Sequence, residues 1–299
     1  MVDTSNNTER DWTILKGMID ALGIDCRKLD IFITHEHPDH TGLVPKLQEL
    51  GARAFMNPDE TRKRVDLLHS YLADERARIE NLRIVGVTKE ETPEVYDTFM
   101  EYTTKAYASE KSPLELSFIP YGGYHFEVKL LKGHTFGQCG LYEPEKKLMF
   151  VGDQLMTTIV PIVGTQETDL GMLKCYLDSL GDLKHNYKDC YFLPCHYGEI
   201  RNVEKEVNRI ILGYLEKCEI MKHVLEEAGT ALTTRDIGVR TYGRSQGPPD
   251  YAHFASCTYI WAKTFSCMEY MMGEGFVERS ERDGIIYWKA PSIHFENNR

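Results

Sequence analysis

The segment Thr34-His35-Glu36-His37-Pro38-Asp39-His40 packs three histidines and an aspartate into the six residues 35–40. Neutral imidazole and carboxylate are good ligands for zinc and its neighbours among the divalent metals. His35 and His37 are two residues apart, so in extended backbone their rings point the same way. Pro38 ends the strand. Asp39 and His40 then fall where the next helix starts and can turn toward a second position. Titratable groups this dense are costly without a partner, so the segment predicts a metal site.

Three more candidates, His134, Asp153 and His196, each follow closely on an apolar run. Strand ends gather along one edge of a sheet, and sites form there. The natural division gives one ion to His35, His37 and His134 and a second to Asp39, His40 and His196, with Asp153 bridging. Two divalent ions about 3.5–4 Å apart can share a water and lower its pKa into the neutral range. The expected chemistry is hydrolysis by a metal-bridging hydroxide, with the ions polarising the carbonyl or phosphoryl oxygen. Asp39 counts as both ligand and catalytic group. Zinc is the first expectation, with iron and manganese as alternatives.

The elements that must position these groups can be read from the runs around them. Ile31-Phe32-Ile33, Val128-Lys129-Leu130-Leu131, Leu148-Met149-Phe150-Val151 and Cys190-Tyr191-Phe192-Leu193 read as buried strands. Helical patterns fall at about 11–22, 41–50 and 168–185. Tyr121-Gly122-Gly123-Tyr124, followed by alternating Phe126, Val128 and Leu130, predicts a hairpin. Strands and helices in this order give a layered α/β domain over residues 1–202. A charged helical stretch at about 59–112 interrupts the strand series as an insertion, placed either to cover a site or to stand as a solvated hairpin.

Residues 203–299 form the second part. A long helix is expected over 203–228, and Thr233-Thr234-Arg235-Asp236 reads as a helix start. A further helix is expected over 254–272. Two strands, 276–279 and 285–288, would turn at Arg282-Asp283-Gly284. Helices followed by such a ribbon predict a winged-helix-like module. Its helix 254–272 carries Lys263 as its only Lys or Arg, and residues 203–299 hold 12 Lys/Arg against 14 Asp/Glu. Packing through Phe254, Tyr259, Trp261 or Phe265 is therefore expected over DNA binding.

The 299 residues carry a net charge of -11, which opposes polyanionic partners. Mean hydropathy is -0.40, and no apolar run approaches membrane-span length. The polar, acidic start from Met1 to Trp12 resembles no signal or transit peptide, so a cytoplasmic location is expected. The eight cysteines are scattered without a C-x-x-C pair and are expected to be reduced and mostly buried. His69, His125, His185, His223, His253 and His294 lack motif context and are expected to be structural or on the surface.

His-x-His-x-Asp-His, then Gly133-His134-Thr135, Gly152-Asp153 and Leu193-Pro194-x-His196, in this order, resemble the metallo-β-lactamase superfamily. The resemblance implies an αββα sandwich with metals at one edge, and it carries the family's ligand roles to the seven positions above. Asp153 as bridge implies the glyoxalase II-like and lactonase-like branch. The chain beyond Gly152 is similar to bacterial hydrolases in which a winged-helix module follows the sandwich. Family domains open with several strands before an Asp-Thr-Gly corner. Val2-Asp3-Thr4 resembles that corner with only Met1 ahead of it, so those strands are expected to be missing. Departures are Cys195 and Tyr197 where glycines usually flank the last ligand, and Ser266-Cys267-Met268 where Ala-His-Leu is frequent. Tyr197 is a candidate substrate contact.

The leading expectation is a dinuclear hydrolase acting on a small ester, thioester or lactone, with a small molecule as its partner. A homo-oligomer is compatible with the sequence. A phosphodiesterase or nuclease would use the same two-metal chemistry, but basic clusters are lacking. A non-catalytic winged-helix DNA sensor is a third reading, opposed by the acidic module. A flavin-partnered di-iron oxygen reductase is a fourth. That class usually has Glu in place of His37 and carries a flavodoxin domain.

Overall fold

The computed structural model describes residues 1–60, 75–94, 96–97, 120–121, 124–164, 169–242 and 251–291. They fall into two compact units. The first takes in Met1–Leu72, Tyr107–Pro161 and Cys175–Ile210, the second Ala73–Ala106, Ile162–Lys174 and Ile211–Arg299. No described helix is long and apolar enough to cross a membrane.

In the first unit, α1 (Glu9–Ala21) begins at Thr8, whose side chain accepts from the Asp11 amide, with Glu9 and Asp11 in the first turn. This is favourable capping and dipole chemistry. β1 (Asp30–Ile33) pairs in parallel with β2 (Arg53–Met56), and α2 (Pro38–Thr41) and α3 (Val44–Glu49) lie between them in the chain. All four residues of β1 are buried, because both its faces are covered. Ile31 and Ile33 pack with Ile19, Val44, Leu47 and Met56. Phe32 faces the other way, onto Cys139 and Leu141. A strand buried on both faces reads as a continuous apolar run, as Ile31-Phe32-Ile33 does.

The second sheet of this unit has the order β5 (Glu127–Leu130), β6 (Cys139–Glu143), β7 (Leu148–Gly152), β8 (Tyr191–Pro194). β5, β6 and β7 are antiparallel, and β7 and β8 are parallel. The chain passes from β7 to β8 by way of α5 (Met172–Asn186). The Tyr-Gly-Gly-Tyr turn joins a short hairpin, β3 (Pro120–Tyr121) with β4 (Tyr124–His125).

One expected buried strand is not buried. In β5, Glu127, Val128 and Leu130 are exposed, because β5 stands at the end of the sheet with only β6 beside it among the described residues. Lys129 lies over the rings of Tyr142 and Tyr187, at 5.6 and 6.0 Å. Strands β2 and β6 carry Arg53, Gly140 and Glu143, and those interruptions hid them from an apolar-run reading.

The second unit holds α4 (Glu75–Ile84), β9 (Leu232–Thr233), α7 (Thr234–Tyr242), α8 (Tyr251–Gly273), β10 (Glu278–Arg282) and β11 (Ile285–Lys289). The long helix α6 (Val203–Ala228) runs into it. Its sheet is antiparallel in the order β10-β11-β9. Asp283 and Gly284 turn the ribbon with φ of 53° and 75°. Thr233 caps α7: its Oγ1 accepts from the Asp236 amide at 3.1 Å and donates to Asp236 at 2.9 Å. Of the expected insertion at 59–112, α4 and the segment after it belong to this unit. The Arg235 amide donates to the Val85 carbonyl at 2.9 Å, and Arg83 donates to the Asp283 carbonyl at 3.2 Å. Residues 61–74, 95 and 98–112 of that stretch lie outside the described residues, as do the side chains of Phe254 and Tyr259.

Trp288 anchors the unit. It is fully buried, meets Phe265 edge-on at 5.7 Å between ring centroids, and donates its indole N–H to Thr234 Oγ1 at 2.9 Å. Trp288→Phe keeps most of the apolar contact but removes the donor. We expect a loss of about 1–2 kcal/mol, the usual cost of leaving a buried hydroxyl unpartnered. Adding Thr234→Val should recover part of it. Urea denaturation of the two variants checks this; strictly additive losses would show that the bond contributes nothing.

Candidate metal centre

The centre is built where strand ends of the first unit meet. β1 delivers Thr34 and His35. The chain bends at His35 and Glu36 before His37, the N-cap of α2, and the rings of His35 and His37 meet on one side. Asp39 and His40 sit in α2, His134 in the loop from β5 to β6, Asp153 just past β7, and His196 just past β8. The structure brings all seven together: two triads are linked by a third group, His35, His40 and Asp153. His35, His37 and His134 present ligand atoms within 4.8 Å of one another, and so do Asp39, His40 and His196.

In the first group, His37 Nδ1 lies 3.0 Å from His35 Nε2 and 3.1 Å from His134 Nε2. In the second, Asp39 Oδ2 lies 3.6 Å from His40 Nε2 and 3.3 Å from His196 Nε2. Asp153 stands between them. Its Oδ1 is 3.5 Å from both His40 Nε2 and His196 Nε2, and its Oδ2 is 3.6 Å from His134 Nε2. His35 and His40 are almost fully buried, whereas the side chains of Asp39 and His196 are 38% and 36% exposed. The second group therefore faces the entrance. A cavity of about 520 Å³, lined by Asp39, His40, Cys195, His196, Leu193 and Val2 among others, opens beside it.

Behind the ligands, Asp3 sets which nitrogens face inward. Its Oδ1 accepts from the Thr34 amide at 2.7 Å, and its Oδ2 accepts from Thr34 Oγ1 at 2.7 Å. Thr34 Oγ1 has then used its only proton, so toward His35 Nδ1, 3.0 Å away, it is an acceptor. His35 accordingly carries its proton on Nδ1 and turns the Nε2 lone pair to the centre. His40 Nδ1 lies 2.9 Å from the same Asp3 Oδ2, which fixes His40 likewise. Cys195 Sγ adds a fourth contact, donating to Asp3 Oδ2 at 2.9 Å. Sequence reading took Asp3 as part of a corner and Cys195 as a departure; neither position carried a signal of this contact.

The donor set fits divalent ions. His40 Nε2 and Asp153 Oδ1 are buried without a hydrogen-bond partner, and the imidazole nitrogens of the first group point at one another. Such an arrangement is unfavourable for neutral rings and carboxylates unless a cation or protons lie between them. The ionisation of the bare cluster shows the same tension. Burial, reinforced by His134, drives His37 down to about 3, and burial with its histidine neighbours pushes His35 well below its usual range. For His40, burial opposes the charge, but the neighbouring Asp153, Asp3 and Cys195 groups outweigh it and raise the ring to about 12. Asp39 is held low against burial by His196, and Asp153 against burial by His40.

Tyr197, the candidate substrate contact, has φ of 64° and is 55% exposed, with its ring centroid 6.1 Å from that of His196. Thr157 Oγ1 donates to its carbonyl at 3.1 Å. His125, His185 and His223 are exposed and belong to neither group.

Three comparisons bear on this geometry. A metallo-beta-lactamase family protein from Thermus thermophilus superposes with a TM-score of 0.77 at 23% identity, covering 97% of this chain and 89% of that one. A beta-lactamase domain protein from Burkholderia ambifaria gives 0.79 at 22% identity, covering 97% and 83%. An uncharacterized protein of Aquifex aeolicus is 29% identical over 135 residues, 44% of this chain, which spans about half (51%) of that relative's length. The family model described as the metallo-beta-lactamase superfamily matches residues 2–191, the stretch that carries six of the seven converging side chains. With that match over most of its length, the chain belongs to the metallo-beta-lactamase superfamily, whose members are generally metal-dependent hydrolases.

Proposed function

We propose that this protein is a dinuclear metal hydrolase of small esters, thioesters or lactones, in the glyoxalase II-like and lactonase-like branch. One observation carries the reading: the two oxygens of Asp153 face different imidazole groups, at 3.5 Å and 3.6 Å. His35, His37 and His134 would hold one ion, and Asp39, His40 and His196 the other. Bound there, two divalent ions, zinc first and iron or manganese otherwise, would acidify a shared water and polarise the scissile carbonyl. Asp39, at the exposed side, is placed to take the proton released as water adds. Asp3 and Thr34 hold His35 and His40 in the tautomer that ligation needs. Tyr197 beside the entrance supports a role in holding substrate. A cavity of about 520 Å³ suits a small molecule better than a polymer.

The second unit supports no nucleic-acid role in this reading. We take residues 203–299 as a linking helix and a winged-helix-like module. Lys263 lies over the Tyr214 ring at 4.6 Å, and burial holds its ammonium below the usual lysine range, so it is poorly placed for phosphate. The remaining properties we propose are a cytoplasmic location and a small-molecule partner. The test is metal analysis of the purified chain, followed by turnover on thioesters, lactones and phosphodiesters. About two ions per chain with ester, thioester or lactone turnover is the expected result. Phosphodiester turnover alone would replace this reading, and salt-sensitive DNA binding at micromolar or better affinity would overturn the reading of the second unit.

A further inference from the structure

Glu60 is 1% exposed and lies beyond β2, away from every ligand in sequence. Its carboxylate spans two loops of the centre. Oε2 accepts from the Glu36 amide at 3.0 Å, the peptide between His35 and His37. Oε1 accepts from the Gly137 amide, three residues past His134. Asn57 runs beside it, with Nδ2 donating to the Gly137 carbonyl at 2.7 Å. A side chain at position 137 would crowd this contact: its Cβ would stand 2.8 Å from Asn57 Nδ2 and 3.0 Å from the Glu60 amide nitrogen. The loop bearing His134 is thus pressed onto the 57–60 segment, which also holds the loop bearing His35 and His37.

We infer that Glu60 is the positioning residue of the first metal group: its carboxylate fixes the spacing of His37 and His134. The inference rests on the dinuclear reading above. The three nitrogens of this group come from two separate chain segments. Nothing covalent sets the distance between them over the 97 residues from His37 to His134; the Cys139 amide bond to the Thr34 carbonyl at 2.8 Å joins the strands beneath, and the buried Glu60 carboxylate serves both loops nearer the nitrogens. A carboxylate suits the task because both its oxygens accept. In Glu60→Gln the amide group would oppose one peptide N–H with its own N–H, and one loop would be released. The two amides that Glu60 accepts from, of Glu36 and Gly137, flank ligands of the first group, so the Asp39-His40-His196 group should be spared.

The experiment loads Co2+ as probe into the wild type, Glu60→Gln and Asn57→Ala, and reads chelator competition and the visible absorption bands, with thermal unfolding of the metal-free proteins alongside. Loss of an outer contact to a ligand set typically costs about 10–100-fold in metal affinity. We expect a loss of that size in Glu60→Gln, confined to one of the two ions and accompanied by changed bands, with a smaller loss in the same ion for Asn57→Ala. Unchanged affinities and bands in both variants, with only a lowered Tm, would make Glu60 a structural residue and overturn the inference. If Glu60→Gln does not fold, Asn57→Ala decides by the same criterion. A wild type that binds no Co2+ would instead refute the dinuclear reading.

Discussion

Asp153→Ala is expected to leave about one metal ion or fewer per chain and to lower hydrolysis by orders of magnitude. Asp153 touches both triads, through Oδ1 to His40 and His196 and Oδ2 to His134. Two cations held close repel each other, and a shared anionic bridge offsets that repulsion. Without it the second ion suffers most, because Asp39, the remaining carboxylate of that group, is 38% exposed and its charge is partly screened by water. The backbone should not move: the Asp153 amide donates to Gln138 Oε1 at 3.3 Å, and alanine keeps that bond. Metal stoichiometry and turnover measured on one preparation separate the alternatives. A purely structural Asp153 would cost on the order of 1 kcal/mol of stability with metal content unchanged. A one-ion enzyme working from His35, His37 and His134 would keep its turnover. Two retained ions with near-normal rate would show that Asp153 bridges nothing.

The ligands were legible because their residue types are diagnostic in combination and because strand ends are visible as apolar runs that stop. Ile31-Phe32-Ile33 marks a strand, and the polar residues that follow mark its end. What supports the ligands was not legible. Glu60 stands one residue inside the stretch read as a charged insertion, and a buried carboxylate looks like any surface glutamate in a sequence. Its partners are backbone amides, which leave no trace in residue type. Asp3 and Thr34 have the same opacity. Edge position was hidden too: Val128-Lys129-Leu130-Leu131 has the composition of a core strand, yet Val128 and Leu130 are exposed, because a strand's neighbours are set by topology and not by its own sequence. The strands expected ahead of Val2-Asp3 would bear on the same question. In the described residues Val2 makes a single parallel bridge to Phe32, and the Met1 ammonium donates to the Asp30 carbonyl at 2.9 Å.

Gly133→Ala should lower the stability of the metal-free protein by about 3 kcal/mol or more. Gly133 has φ of 141°, a region that side-chain-bearing residues avoid at a cost of roughly 1–3 kcal/mol. A Cβ there would also stand 2.4 Å from both Cα and Cβ of Tyr176 and 2.8 Å from its amide nitrogen. Overpacking of that kind adds typically about 1–3 kcal/mol. Tyr176 cannot yield cheaply: it is fully buried in α5, and its hydroxyl donates to the Gln154 carbonyl at 2.8 Å, one residue from Asp153. The loop must move instead, against the Leu131 amide bond to the Gln138 carbonyl at 2.7 Å and the Gly133 amide bond to the Thr135 carbonyl at 3.0 Å. That loop carries His134, so displacing it also draws one nitrogen out of the first metal group. For a folding unit of this size the loss corresponds to a Tm lower by roughly 6–12 °C, measured with chelator present so that metal linkage does not contribute. Weaker metal binding should accompany it once ions are restored. An alanine variant with the wild-type Tm would mean that α5 gives way at no cost and that the glycine is not what lets His134 reach the centre.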